Sequence, residues 1–193
     1  MQAARGASLT RDHASHPGRS RLGLVTSIAV AAWLVDLVSK IWAQHELADR
    51  GPVEVLGSLL RLHLTRNAGA AFSTGTSVTP IIALFAVVAF VVVAVLATRA
   101  GTTGWAWAIG LLLAGIGGNL TDRIFRDPGP LRGHVIDFLE LPHWPIFNVA
   151  DICINVAAAL IVVQSIRGVP LRGRDATEEP ATPVPPSAHE ADR

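Results

Sequence analysis

The sequence predicts an all-α membrane protein, a four-transmembrane-helix bundle carrying a small extracytoplasmic β-sheet. Three observations lead there. Half of the 193 residues are hydrophobic and only 16% are charged, against roughly 25% charged in an average soluble domain. Four apolar stretches approach or reach the roughly 20 residues that a helix needs to cross a hydrocarbon core about 30 Å thick. The two long connections contain short segments patterned as strands.

The first span runs from Leu22 to Gln44, the second from Thr79 to Ala97, the third from Thr103 to Leu120 and the fourth from Phe147 to Ile166. Only the short turn Thr98 to Thr102 separates the middle pair, whereas long loops separate the outer pairs. The short turn and the long loops therefore face opposite sides, and four spans bring both termini to one side. Arg19, Arg21, Arg99, Arg167, Arg172 and Arg174 fall on the side of the termini; Arg50, Arg61, Arg66, Arg123, Arg126 and Arg132 fall on the other. The count is balanced, so orientation rests on the basic residues just before the first span, which place both termini in the cytoplasm. The first apolar stretch is too long for a signal-peptide core and no small-residue cleavage site follows it, so it reads as an uncleaved anchor.

Residues 1–21 read as a disordered cytoplasmic tail, residues 22–167 as the four-span domain, and residues 168–193, with Pro183-Val184-Pro185-Pro186, as a disordered Pro-rich cytoplasmic tail. No fixed-period repeat is visible, which weighs against an inverted-repeat transporter. A formal charge of +1 offers no broad handle for nucleic acid. The single cysteine, Cys153, excludes an intrachain disulfide and suits a small packed hydrophobe. In the first long loop Leu60 to Thr65 alternates apolar and polar, and Val135 to Leu141 forms a second apolar run on the same side. Both suit a small sheet, with plain connectors as the other reading.

Charged side chains inside spans cost about 2.5–3.5 kcal/mol each on insertion scales, so those present face protein or water. Asp36 and Lys40 stand four apart on one face, acid first, the better order for a pair; a mutually neutralising structural pair is the plain reading. Ala114 and Gly118 form a small-xxx-small pair that admits close backbone approach, followed at the interface by Asn119, Asp122 and Arg123, residues that commonly make structural hydrogen bonds and ion pairs. In the fourth span Asn148, Asp151 and Asn155 form one stripe, and no basic residue of that helix neutralises Asp151. Asp137 lies fourteen residues earlier in an apolar setting. Pro142 and Pro145 favour a bend that folds it back over the helix start. Two carboxyls so apposed share one proton, one acting as base on water and the other donating to an oxyanion; the alternative is that Asp137 merely caps or solvates a strand end.

Taken in order, Asp36-Leu37-Val38-Ser39-Lys40, Arg66-Asn67-Ala68-Gly69-Ala70-Ala71-Phe72-Ser73, Gly118-Asn119-Leu120-Thr121-Asp122-Arg123, Val135-Ile136-Asp137-Phe138 and Phe147-Asn148-Val149-Ala150-Asp151 resemble the motifs of the bacterial lipoprotein signal peptidases, also called signal peptidase II. The resemblance covers Leu22 to Ile166. Asp127-Pro128-Gly129-Pro130 enlarges the loop before Gly133-His134, a departure from the shorter connection of that family. The resemblance implies an aspartic-type endopeptidase that removes the signal peptide of a prolipoprotein just before its diacylglyceryl-modified cysteine. Asp137 and Asp151 match the family's catalytic pair. Asn67, Gly69, Asn119, Asp122, Arg123 and Asn148 match positions that shape the site and hold substrate backbone, and Asp36 with Lys40 match a supporting polar pair. It further implies a multi-pass protein of the bacterial cytoplasmic (inner) membrane that works as a monomer among membrane lipid, with its site near the extracytoplasmic face and no cofactor or metal. His45, His63, His134 and His143 show no zinc-binding spacing. The rival classes are a proton-coupled transporter with a relay through Asp36, Asp122 and Asp151, and a non-catalytic membrane scaffold.

Overall fold

The computed structural model describes residues 21–69 and 79–172. The two tails at residues 1–20 and 173–193, and Ala70-Ala71-Phe72-Ser73 of the second motif, lie outside the described residues. In chain order the elements are α1 (Leu22–Leu47), β1 (Val53–Leu56), β2 (Leu60–Asn67), α2 (Thr79–Ala97), α3 (Thr103–Phe125), β3 (Val135–Glu140) and α4 (Val149–Ile166). All four helices are long and apolar enough to cross a membrane. Their outward faces carry Val35, Val38, Ile41, Leu84, Phe85, Val88 and Val92, each more than half exposed. Such a belt suits hydrocarbon and not water. The chain is a multi-pass membrane protein.

Helix α3 is the hub, lying against α1, α2 and α4. Its glycines permit this. A Cβ on Gly110 would stand 2.9 Å from the Ile28 side chain, and one on Gly115 would stand 2.5 Å from the Ala150 carbonyl oxygen and 2.6 Å from Ile154 Cγ1. One on Gly118 would run into the Asp36 carboxylate. Close backbone approach replaces the hydrophobic drive that is missing between helices in lipid.

At one end, the backbone N–H of Arg21 donates to the Ala100 carbonyl (3.0 Å) and that of Gly101 to the Leu171 carbonyl (2.8 Å). The helix termini and the short turn thus meet there. At the other end sits an antiparallel sheet of order β1-β2-β3. The expected strands from Leu60 and Val135 both form. The additional strand β1 pairs Val53 with Leu62 and Glu54 with Arg61, and its four residues are too few for a periodicity to stand out.

Three helix ends differ from the sequence expectation, each for a tertiary reason. Helix α1 continues past Gln44 because Ala43 and Leu47 are buried against Phe138 beneath the sheet. Helix α3 continues past Leu120 because Asp122 and Arg126 pair across its last turn. Helix α4 starts at Val149 because Asn148 is an extended N-cap and Phe147 belongs to the sheet, exchanging backbone hydrogen bonds of 2.9 and 3.0 Å with Leu139. Cys153 is buried and unpaired in a disulfide, as a packed hydrophobe should be.

Replacing Gly115 by Ala should force α3 and α4 apart, because the atoms it meets are backbone and a branched side chain. Overpacking of this kind costs about 1–3 kcal/mol. Thermal unfolding in detergent should show Gly115→Ala melting several degrees lower, while Gly117→Ala, whose Cβ meets side-chain atoms alone, Phe90 Cε2 at 3.3 Å and Trp33 Cδ1 at 4.0 Å, stays near wild type. Equal melting of the two would refute the packing account.

Candidate active site

The end of the bundle that carries the sheet gathers the polar residues. Strand β3 holds Asp137 in a buried row with Val135, Ile136 and Phe138, leaving Asp137 only 2% exposed. The turn after β3 reverses the chain, so that Phe147 pairs with Leu139 and Asn148 arrives beside Asp137. The bend expected from Pro142 and Pro145 is present.

Asn148 opens α4 with a reciprocal cap: its Oδ1 accepts from the Asp151 backbone N–H (3.0 Å), and its own backbone N–H donates to Asp151 Oδ2 (3.1 Å). A backbone donor leaves that oxygen no choice of role, so the Asn148 amide nitrogen must point the other way. There it donates to Asp137 Oδ1 at 2.6 Å and to Asn119 Oδ1 at 3.1 Å. Asn119 is fixed by the same logic. Its Oδ1 also accepts from Lys40 Nζ (3.0 Å), and its Nδ2 donates to Asp151 Oδ1 (2.9 Å).

The second Asp137 oxygen accepts from Asn67 Nδ2 at 2.9 Å, and Asn67 Oδ1 in turn accepts from the Gly69 backbone N–H at 2.8 Å. Gly69 has φ of +108°, a conformation that demands glycine, and a Cβ there would press on the tip of the Ile82 side chain, Cδ1 at 2.9 Å. Strand β2 supplies this partner because its end pairs with β3, Asn67 opposite Val135 and Thr65 opposite Asp137.

Beneath lies an ionic layer. Lys40 Nζ stands 2.8 Å from both Asp36 Oδ2 and Asp122 Oδ2, with all three side chains at most 2% exposed. Asp36 Oδ1 accepts from the Ala150 backbone N–H (2.8 Å), and Asp122 Oδ2 from that of Ile136 (3.2 Å). Arg126 bonds Asp122 through Nε and Gln44 through Nη1. The buried Arg123 interacts electrostatically with Asp137, Asp122 and Asp151, and its Nη1 has no hydrogen-bond partner among the described residues.

All ten residues singled out in the sequence thus converge on one cluster, and Asp137 and Asp151 line one cleft of about 420 Å³ with Asn67, Trp144, Phe147 and Ile152. The structural pairing of Asp36 with Lys40 holds but is incomplete, since Lys40 serves Asp122 and Asn119 as well. Asn155 bends back to the Asp151 carbonyl (2.8 Å) and joins no other cluster member by a hydrogen bond. Gln44 and Arg126 join the cluster without having been singled out as site residues in the sequence; the four-residue spacing from Asp122 to Arg126 is the signal that could have found the arginine. A relay across the bundle finds no support, because Asp36, Asp122 and Asp151 gather at one end. Among the described residues no three His, Cys, Asp or Glu side chains are placed to hold a metal ion.

Burial raises the Asp137 pKa from 3.8 to about 6, against the pull of hydrogen bonds from Asn67 and Asn148 and with a further push from the Asp151 charge. A carboxyl that holds its proton up to about pH 6, sharing a cleft with a second carboxyl, is equipped for acid-base work on a water molecule.

The family model of signal peptidase (SPase) II matches residues 28–167. The lipoprotein signal peptidase of Streptomyces coelicolor is 43% identical over 152 residues, covering 79% of this chain and 74% of that protein. That of Mycobacterium tuberculosis is 43% identical over 148 residues, 77% of this chain and 73% of the relative. A bacterial membrane enzyme solved by the in meso method at 1.9 Å superposes with a TM-score of 0.69 at 24% identity, over 79% of this chain and 98% of that one, a likeness of fold. The chain belongs to the signal peptidase II family, and it is a membrane peptidase of the aspartic type.

Proposed function

We propose that this chain removes the signal peptide from diacylglyceryl-modified prolipoproteins, cutting just before the lipidated cysteine, with Asp137 and Asp151 as the catalytic pair. The observation that carries the reading is that Asn148 and Asn119 hold both carboxylates on one cleft. Residues 22–167 constitute the peptidase domain. It works as a monomer in the bacterial cytoplasmic membrane, both termini cytoplasmic and the cleft near the extracytoplasmic face.

The signal helix and lipid chains of the substrate stay in the bilayer, so anchoring itself delivers the scissile peptide to the cleft. Such positioning is worth up to ~7–11 kcal/mol in ideal cases. Asp137, buried and protonated, hydrogen-bonds the carbonyl oxygen as it becomes an oxyanion. Asp151, half-buried at the mouth of α4, takes a proton from the attacking water. Once the tetrahedral centre forms, a proton passes to the departing cysteine amine and the peptide bond breaks. Asn67 and Asn148 orient Asp137, Asn119 orients Asp151, and Gly69 keeps Asn67 in place. Asp36, Lys40 and Asp122 hold the two backbone segments, and Arg123 supplies positive charge beside the acids and a donor for substrate backbone.

Incubating purified protein with a diacylglyceryl-modified precursor and with its unlipidated counterpart should yield one product beginning at the cysteine, from the lipidated precursor alone. Asp137→Asn and Asp151→Asn should each lower turnover roughly 10²- to 10⁴-fold, the span that general acid-base groups supply, while the protein still folds. Near-normal turnover by either variant would overturn the pairing.

Titration should follow Asp137. Its folded pKa lies above the unfolded value, so its contribution to stability is complete below about pH 3.8 and lost as pH rises through about 6. The wild type should lose up to about 3 kcal/mol from this group between pH 4 and pH 7, a slope that Asp137→Asn lacks. Because the protonated form is the working one, kcat/KM should fall as pH rises through about 6. A flat profile over that range would contradict the assignment of the proton.

Lys40→Met leaves Asp36 and Asp122 buried without their shared cation. Breaking a buried pair in this way costs about 3–5 kcal/mol. Unfolding in detergent should detect a loss of that order, and an unchanged melting temperature would exclude the supporting role.

A further inference from the structure

An apolar groove of about 450 Å³ runs along the α1–α3 face, lined among others by Val30, Trp33, Phe90, Leu113, Leu120 and Phe125. At its sheet end Phe125, 80% exposed, also lines a second pocket of about 500 Å³ that is polar, with Arg66, Arg126, Asp127 and His134 in its wall. Neither shares a lining residue with the cleft that holds the two acids. The Asp127-Pro128-Gly129-Pro130 loop builds part of the polar pocket through Asp127 and Pro128. It folds over the end of α3 as Gly133 N–H donates to the Arg123 carbonyl and His134 N–H to the Asp127 carbonyl, both at 3.1 Å.

We propose that groove and pocket together bind one anionic glycerophospholipid, its phosphodiester on Arg66 and Arg126 and an acyl chain in the groove. Guanidinium chemistry selects the headgroup. Arg66 and Arg126 share the pocket wall with one carboxylate, Asp127, and Arg126 also bonds Asp122. Guanidinium donors match phosphate oxygens in geometry as well as charge. Arg126 is held in place by Asp122 and Gln44, so its remaining N–H groups are preorganised. Size selects the tail. A spanning helix about 10 Å wide and 30 Å long sweeps roughly 2,400 Å³, whereas 450 Å³ seats a single hydrocarbon chain. Continuity through Phe125 joins the two, an apolar slot at membrane depth under a guanidinium-lined pocket at the interface, which is the form of a lipid-headgroup site. The Trp33 indole N–H, which would otherwise face the slot unpaired, donates to Thr121 Oγ1 at 3.1 Å.

The full chain, stripped of lipid in a neutral maltoside detergent, should be titrated with phosphatidylglycerol, phosphatidylcholine and sodium phosphate while bound mass and melting temperature are followed. One phosphatidylglycerol should bind per chain and raise the melting temperature, at least about tenfold more tightly than phosphatidylcholine, and sodium phosphate should give no rise. Arg66→Gln removes an exposed side chain and should weaken phosphatidylglycerol about tenfold, the loss expected for one charge-assisted hydrogen bond. Val30→Trp, which fills the groove, should weaken it as well. Equal affinity for the zwitterionic lipid, an unchanged affinity in Arg66→Gln, or stabilisation by phosphate alone would each overturn the proposal. None of these readouts depends on proteolysis, so they stand apart from the proposed peptidase reaction.

Discussion

One ammonium group holds this end of the molecule together. Lys40, 1% exposed, contacts Asp36, Asp122 and Asn119 at once. Burying a lone charge is costly, and two carboxylates around one ammonium still leave an excess negative charge. Arg126 offsets it from the rim by bonding Asp122. What this neutral cluster achieves is positional. Its carboxylate oxygens accept the backbone N–H groups of Ala150 and Ile136, residues adjacent to Asp151 and Asp137. The two acids thus hang from backbone segments tied to one ionic layer, and Asn119 extends that layer directly to Asp151.

The arrangement explains why the amides around the acids cannot flip. Each asparagine has one end committed to a donor of fixed sense, a backbone N–H for Asn148 and Asn67 and an ammonium for Asn119. Each therefore turns an N–H toward a carboxylate. Asp137 receives two such donors yet keeps an elevated pKa, because desolvation outweighs them. A carboxyl whose pKa is lifted to about 6 while two amides donate to it is poised to change protonation state, which suits a group asked to give and regain a proton within one catalytic cycle.

Much of the architecture was legible because its physics is local. Span lengths, the small residues of α3 and the alternation in Leu60 to Thr65 each reflect a constraint acting within one segment: hydrocarbon thickness, close approach, a half-buried strand face. The proline-bounded bend before α4 was legible for the same reason. Less legible were the last turn of α1 and the strand β1, since Ala43 and Leu47 find their burial under Phe138, and Val53 its pairing with Leu62, only across long sequence separations. The contact between Gln44 and Arg126 was not legible because nothing local signals a partnership 82 residues apart.

The sequence by itself determined that the chain crosses a membrane four times, that acids and amides cluster on one side, and which motifs mark its family. Those properties follow from apolar length, spacing and residue identity, which survive without coordinates. Only the tertiary structure decided that one lysine serves two carboxylates and an amide, that two asparagines connect Asp137 to Asp151, and that burial lifts one acid toward neutrality. Each of these is a contact or a desolvation created when α1, α3, α4 and the sheet converge, and no single segment carries it alone.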